Sequence, residues 1–159
     1  MKNAIIIFLF FLIPAILYAQ NEREDFFVAA GGSLSMYSPG SLAYGGSFTA
    51  GYGTFSALGI KLSYFFSKED LHVLELNMFL RIYFLGTNAY SGPFLQLMAG
   101  PALLNRIDNF PIPSFSGTMS AGLCLGWRLL LKDRWFLEPA VRGGYPYIFG
   151  VGLSGGIRF

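Results

Sequence analysis

The sequence has little with which to build a soluble enzyme or a disulfide-stapled domain. It contains one cysteine, Cys124, so no disulfide can form within the chain. Its single histidine, His72, cannot form a metal site alone. Charged residues make up 13% of the chain and hydrophobic residues 53%, which is less charge than a soluble domain usually carries. The formal net charge is only +2, so no basic surface argues for nucleic-acid binding.

Long apolar runs are missing once the N-terminal residues are passed. Lys2, the apolar stretch over residues 4–17 and the small residue Ala19 have the layout of a secretory signal peptide. We therefore expect residues 1–19 to be a signal peptide cleaved after Ala19 and residues 20–159 to form the mature domain. An uncleaved N-terminal anchor is the alternative. After residue 19 no apolar window of about eighteen residues occurs, so no helical membrane span is predicted.

The mature chain is rich in segments where apolar residues alternate with small or polar ones. A period of two residues is typical of β-strands whose two faces meet different surroundings. In the segment before the first tryptophan, for example, Leu123 and Leu125 alternate with Cys124 and Gly126. The pattern predicts eight strands, near residues 26–36, 44–53, 58–66, 74–84, 95–100, 119–129, 135–142 and 149–159.

The composition of the two faces indicates which one points outward. One face carries Phe, Leu, Ile, Tyr and Trp, and the other mostly Gly, Ser and Ala with isolated charges. A soluble sandwich would cover its second face with Lys, Glu and Thr. A face of small residues suits the crowded interior of an eight-stranded barrel, whose closure satisfies every backbone group in lipid. The predicted fold is all-β, an eight-stranded antiparallel transmembrane β-barrel after a cleaved signal peptide.

Aromatic residues and prolines near the strand ends give finer expectations. Aromatic side chains at strand ends are typical of girdles at the two membrane interfaces. The predicted girdles contain Tyr37, Tyr44, Tyr64, Phe66, Tyr145 and Tyr147 at one rim and Phe26, Phe55, Phe84, Trp135 and Phe159 at the other. Proline removes a hydrogen-bond donor that a closed barrel needs. We expect a β-bulge at Pro139 and strand ends at Pro93 and Pro101.

Charged residues on the inward face form the candidate site. Buried charges must be paired or hydrated, and two interpretations stay open. In the first, Glu75 and Glu138 are each braced by arginines in a structural ladder that plugs the lumen. In the second, the charges line a narrow water path that favours anions. The inward set is Lys61, Glu75, Arg81, Arg128, Glu138, Arg142 and Arg158.

One literal match to an enzyme motif and one candidate catalytic histidine both fail for lack of the groups that the chemistry requires. Residues 150–155 match the dinucleotide fingerprint, but only four residues follow, which leaves no room for the helix that the motif requires. His72 has no serine two residues further along the strand to act as a nucleophile. The sequence therefore predicts no catalytic residue, no cofactor and no metal site.

The C-terminal strand is similar to that of a known family. Residues 150–159 alternate apolar with small side chains and end in Phe159. In this strand and in architecture, the chain resembles small outer-membrane β-barrels of the OmpW-like and OmpA/OmpX-like kind. The resemblance implies an outer-membrane location, contact with outer-membrane lipid, and an assembly signal read by the barrel-assembly machinery. That signal would consist of Val151, Leu153, Ile157 and Phe159.

We accordingly expect a non-enzymatic outer-membrane barrel that is either structural or a narrow pore for small molecules. The alternative is a surface-exposed binding or adhesion protein that acts through the loop over residues 105–115, since an exposed apolar loop can mark a ligand site. A third hypothesis, an outer-membrane lipid-modifying enzyme, would depend on His72.

Overall fold

The protein is a closed β-barrel of eight antiparallel strands. The computed structural model describes residues 26–37, 41–67, 71–84, 91–106, 114–131 and 134–159. The strands are β1 Phe26–Tyr37, β2 Ser41–Gly53, β3 Ser56–Ser67, β4 Leu71–Tyr83, β5 Gly92–Arg106, β6 Ser114–Leu130, β7 Trp135–Tyr145 and β8 Tyr147–Arg158. Each strand pairs with its neighbours in sequence, and β8 pairs with β1. The predicted fold class is confirmed.

The N-terminal signal peptide is predicted in residues that the structure does not describe. The signal peptide over residues 1–19 and its cleavage after Ala19 lie outside the described residues. In the described ranges no helix has the length and apolar character to cross a membrane.

The apolar face of each strand points away from the barrel axis, as predicted. Side chains such as Met78 and Leu125 are 73% and 56% exposed, although both lie in the middle of their strands. Charged residues, small residues and a set of aromatic rings occupy the opposite face, and Glu75 between two exposed leucines is fully buried. An exposed surface this apolar is stable in contact with lipid, while the closed ladder leaves no strand edge within it.

Aromatic rings fill the two ends of the interior. We call the barrel end that holds residues 26 and 159 the terminal rim and the opposite end the distal rim. The terminal layer is the buried cluster near the first rim, formed by Phe27, Ala29, Ala57, Phe79, Tyr83, Phe94, Met98, Cys124 and Phe136. The distal layer is the buried cluster near the second rim, formed by Tyr37, Ala43, Phe65, Leu71, Val73 and Tyr147. Both layers lie inside the barrel, between the strands.

Glycines on the facing strands make room for these rings. For a Cβ atom built at Gly126 of β6, the three nearest atoms are ring atoms of Phe94 at 2.3–2.9 Å, close enough to overlap. A Cβ atom at Gly156 of β8 would overlap the ring of Phe136 and a backbone oxygen of β1. The glycine-rich inward face is therefore complementary in shape to the large interior rings, because an interior of eight strands has little spare volume.

Two residues assigned to an interfacial girdle lie inside the barrel instead. Tyr37 and Tyr147 are each 1% exposed, so the prediction for them is wrong. The alternation of β1 continues to its last residue and turns Tyr37 inward, where its hydroxyl donates to Glu75 at 2.7 Å. The other girdle residues lie on the outer surface as predicted; they are Tyr44, Tyr64, Phe66 and Tyr145 at the distal rim and Phe26, Phe55, Phe84, Trp135 and Phe159 at the terminal rim.

The predicted bulge at Pro139 is absent. Pro139 lies opposite Leu153, within a β7–β8 register that does not shift from Trp135 to Gly143. Against β6 the register is also unchanged on both sides of the proline, but the ladder lacks the pairs opposite Pro139 and Glu138. The missing N–H donor is thus accommodated by a local gap in the ladder, and no extra residue is inserted.

The predicted strand end at Pro101 is also wrong. β5 runs through it to Arg106, and the β4–β5 ladder has a gap of the same kind beside it. Pro93 is the second residue of β5 and does lie at a strand end. Because β5 and β6 extend to Arg106 and Ser114, the predicted 105–115 loop is shortened to residues 107–113, which lie outside the described residues.

Because Gly126 makes room for the ring of Phe94, a larger residue at position 126 should destabilise the barrel, and a smaller one at position 94 should restore part of the stability. We expect Gly126→Ala to lower the free energy of unfolding by about 1–3 kcal/mol, because the added methyl group overlaps the ring. Adding Phe94→Leu should recover part of this loss. Gly32→Ala is the matched control, since a Cβ atom there would meet nothing closer than 3.8 Å. Urea titration of the refolded barrel measures all three variants, and an equal effect of the two alanine variants would contradict the packing.

Candidate functional site in the barrel interior

The terminal layer contains a carboxylate that binds two arginines. Glu138 Oε1 accepts from Arg81 Nη1 at 2.6 Å and from Arg128 Nε at 2.5 Å, and the three side chains are only 3–4% exposed. Arg81 also donates to Gln96 Oε1 at 2.8 Å and to the Tyr83 hydroxyl at 2.9 Å. A desolvated charge is stable only with such partners, so this triad is held as a unit.

Phenylalanine rings stack on both guanidinium groups of the triad. The Arg81 guanidinium carbon lies 4.1 Å from the ring centre of Phe94. That of Arg128 lies 4.0 Å from the ring centre of Phe136 and 4.3 Å from that of Phe27. Planar cations stack favourably on ring faces. Rings and ion pairs together fill the cross-section near the terminal rim.

The distal layer has a second ion pair with its own rings and hydroxyls. Arg142 Nη1 donates to Glu75 Oε2 at 3.0 Å, and Arg142 Nη2 donates to Ser35 Oγ at 2.8 Å. Glu75 Oε1 accepts from the Tyr37 hydroxyl. The Arg142 guanidinium carbon lies 3.9 Å from the ring centre of Tyr147. The barrel is therefore crossed twice by networks of the same type.

Both networks connect the same two strands across the barrel. In the terminal layer Arg81 of β4 meets Glu138 of β7, and in the distal layer Glu75 of β4 meets Arg142 of β7. From the distal to the terminal rim, β4 therefore presents an acid and then an arginine, whereas β7 presents an arginine and then an acid. The two strands are three positions apart in the closed sheet. Only one alignment of the two strands brings both acids onto arginines.

The structure brings five of the seven predicted charges into the two layers and leaves two outside them. Lys61 lies between the layers, opposite Thr49 on β2 and Asn77 on β4. Among the described residues no carboxylate lies within ion-pair distance of Lys61. Arg158 is partly exposed at the terminal rim, where its backbone N–H donates to the Arg134 carbonyl oxygen at 2.9 Å.

Small polar groups occupy the section between the layers. The Ser120 hydroxyl donates to Asn77 Oδ1 at 2.5 Å, and the Gly100 carbonyl oxygen lies 3.1 Å from the same hydroxyl oxygen. The hydroxyls of Ser33 and Ser63 are buried and have no hydrogen-bond partner among the described residues. This section is therefore polar and contains unused donors.

His72 and the predicted assembly signal lie on the outer surface, away from the interior networks. The His72 Nδ1 atom and the Tyr64 hydroxyl are 2.7 Å apart at the distal rim, where these two side chains share a hydrogen bond. Val151, Leu153 and Phe159 are exposed on or just after β8, the strand that closes the barrel against β1. Within the described ranges no group of three or more His, Cys, Asp or Glu could hold a metal ion.

The phenylalanine rings that cover the interior arginines, Phe94 and Phe136, are not among the site residues predicted from the sequence. Phe94 and Phe136 lie two residues from Gln96 and Glu138, on the same inward face of their strands. A signal was present, because residues two apart on a strand point to the same side. The position of the charge thus predicts the direction of the ring, but it does not predict which guanidinium group the ring covers.

The closed eight-stranded barrel with an apolar outer surface is the fold of small outer-membrane β-barrels. It is similar to Neisserial surface protein A (TM-score 0.63, 15% identity, 85% of this chain and 95% of that one). It is also similar to the N-terminal barrel domain of Pseudomonas aeruginosa OprF, with a TM-score of 0.59 and 20% identity over 85% of this chain and 97% of that one. A third similar structure is Ail, the attachment invasion locus protein of Yersinia pestis, with a TM-score of 0.56 and 11% identity over 86% of this chain and 97% of that one.

These likenesses show the fold and no more specific function. The three structures support the OmpA/OmpX-like side of the resemblance, and its OmpW-like side stays a prediction. No protein-family model matches the chain, and no curated protein matches it either.

The binding of Glu138 to both Arg81 and Arg128 gives a direct test of the terminal layer. Glu138→Ala should lower the free energy of unfolding by about 3–5 kcal/mol, because two buried guanidinium groups lose their shared counter-charge. Adding Arg128→Met should recover part of the loss, whereas Arg134→Ala on the exposed turn should change little. The measurement is urea unfolding of the refolded protein in detergent, and a loss below about 1 kcal/mol would show that Glu138 is hydrated.

Proposed function

We propose that the protein is a closed, non-enzymatic barrel that acts as a structural component of the outer membrane and does not form an open pore. The observation that carries this proposal is the stacking of Arg81 and Arg128 between phenylalanine rings while both bind Glu138. An ion path needs charges that can exchange contacts with a passing ion and its water. Here both guanidinium groups are covered by rings and bound to Glu138, although Arg128 Nη2 is buried with no hydrogen-bond partner among the described residues.

The distal layer gives the proposal a second, independent support. Glu75 is fully buried and binds both Arg142 and Tyr37, so the layer contributes no hydrated charge of its own. The interior of an eight-stranded barrel is just wide enough for side chains to fill it, or at most for one small ligand. A conducting path would have to disrupt two networks, each containing an ion pair with low exposure, and each disruption would leave unpaired charges.

The proposal predicts that the refolded protein gives no steady conductance in planar bilayers. As a matched positive control, two rings are removed from each layer, and this variant should conduct. Its substitutions are Phe94→Ala, Phe136→Ala, Phe65→Ala and Tyr147→Ala. Heat-modifiable gel mobility shows whether each protein is a closed barrel. A steady conductance of the unmodified protein at the level of the control would favour the narrow-pore hypothesis instead.

A specific feature of the strands favours surface binding as a second candidate function. β6 has 17 residues and β5 has 15, more than any other strand. The β6 residues from Ser114 to Ser120 pair with β5, but their other edge has no strand partner among the described residues, because β7 first pairs at Ala121. The partner of Ala121 is the girdle residue Tyr145, so this edge projects beyond the membrane interface.

An unprotected edge of this kind can accept a strand from another polypeptide. Residues 114–120 carry neither charge nor proline, the devices that usually block edge pairing. Ail, which shares the fold, is named for attachment. Cells that display the protein should then bind immobilised polypeptide more strongly than cells that display Gly117→Lys or a deletion of residues 107–113. Equal binding by all three would remove this candidate.

A further inference from the structure

The charges inside the barrel do not balance. Lys61, Arg81, Arg128 and Arg142 point into the interior, and the carboxylates facing them among the described residues are Glu75 and Glu138. The distal pair is neutral, the terminal triad has one formal positive charge in excess, and Lys61 adds a second. An uncompensated charge in a low-dielectric interior is costly, so each excess charge requires a counterpart.

The excess charge of the triad has its counterpart in aromatic rings. The face of Arg128 is covered by Phe27 and Phe136, and ring faces attract cations. Lys61 has no such ring among the described residues, and its side chain cannot reach water at a rim. It lies five residues from the nearer end of β3, roughly 17 Å along the strand.

The surroundings of Lys61 supply donors and space. Ser63, two residues away on the same inward face of β3, is 1% exposed, and its hydroxyl has no partner among the described residues. The hydroxyl oxygen of Ser33 on β1 is also buried and has no hydrogen-bond partner among the described residues. The inward residues of β8 at this depth are Gly152 and Ser154, which are small. Lys61 keeps part of its surface accessible although it points away from lipid, so space exists beside it.

We infer that the section between the two layers is a binding site for one small monovalent inorganic anion of the chloride type. Lys61 supplies the charge, and the hydroxyls of Ser63 and Ser33 supply hydrogen bonds, since a hydroxyl rotates to donate where an acceptor is present. The layers above and below admit nothing large, which excludes phosphorylated or organic anions. The bound anion completes the charge balance of the interior and belongs to the closed barrel.

Bromide in place of chloride locates the site directly. Crystals of the refolded protein grown in bromide should show an anomalous peak within about 3.5 Å of Lys61 Nζ and Ser63 Oγ. Crystals of Lys61→Met should show no peak there. The inference is overturned if the unmodified protein shows no peak, or if Lys61 Nζ lies instead on Glu75, its diagonal neighbour across the β3–β4 pair.

A solution measurement covers the case in which Lys61→Met does not fold. At constant ionic strength, with gluconate replacing chloride, the urea midpoint of the unmodified protein should rise with chloride and saturate. Ser63→Ala keeps the charge and should need about fivefold more chloride for half the effect. Arg134→Met removes an exposed charge and should respond like the unmodified protein. The same chloride dependence in Ser63→Ala and the unmodified protein would overturn the role assigned to the hydroxyl and with it the site.

Discussion

Closing eight strands into a barrel confines every side chain that does not face lipid to one narrow interior, and this confinement governs the rest of the molecule. No bulk water is available there to hydrate a charge, so acids, arginines and rings must satisfy one another. The triad on Glu138 and the pair on Glu75 are two solutions of that problem, one near each rim. The inward glycines follow from the same constraint, because Gly126 and its equivalents yield the volume that the rings occupy.

The interior charges contribute to specificity more clearly than to stability. A buried ion pair recovers little more than its desolvation cost, whereas a mismatched one is strongly unfavourable. With acid and arginine in opposite order on β4 and β7, a slip of two residues along either strand would separate Glu138 from Arg81 and Glu75 from Arg142 together. A membrane barrel has few other means of fixing alignment across its diameter, since its outer surface meets only lipid and is uniformly apolar.

The fold follows from the sequence to a large extent, and the interior networks do so only in part. Alternation with a period of two predicts which face of a strand is inward, and it places Glu75, Arg81 and Glu138 correctly. It contains no information on distance across the barrel, so it could not pair Arg81 with Glu138 or separate Lys61 from both layers. The girdle prediction for Tyr37 is wrong because an aromatic residue at a strand end suits an outer girdle and an interior hydrogen bond equally well. The predictions for Pro101 and Pro139 are wrong because a gap in the hydrogen-bond ladder leaves no trace in the sequence.

In the closed barrel the apolar residues face lipid, and the charged, small and ring-bearing positions face inward. Contacts between detergent chains and protein side chains, measured by nuclear Overhauser effects on the folded protein in micelles, test this without any substitution. Strong effects are predicted at Leu123, Leu125 and Leu153, and none at Phe65, Val73 and Phe136. Detergent contacts at the second group, or their absence at the first, would contradict the orientation of every strand and the closed interior with it.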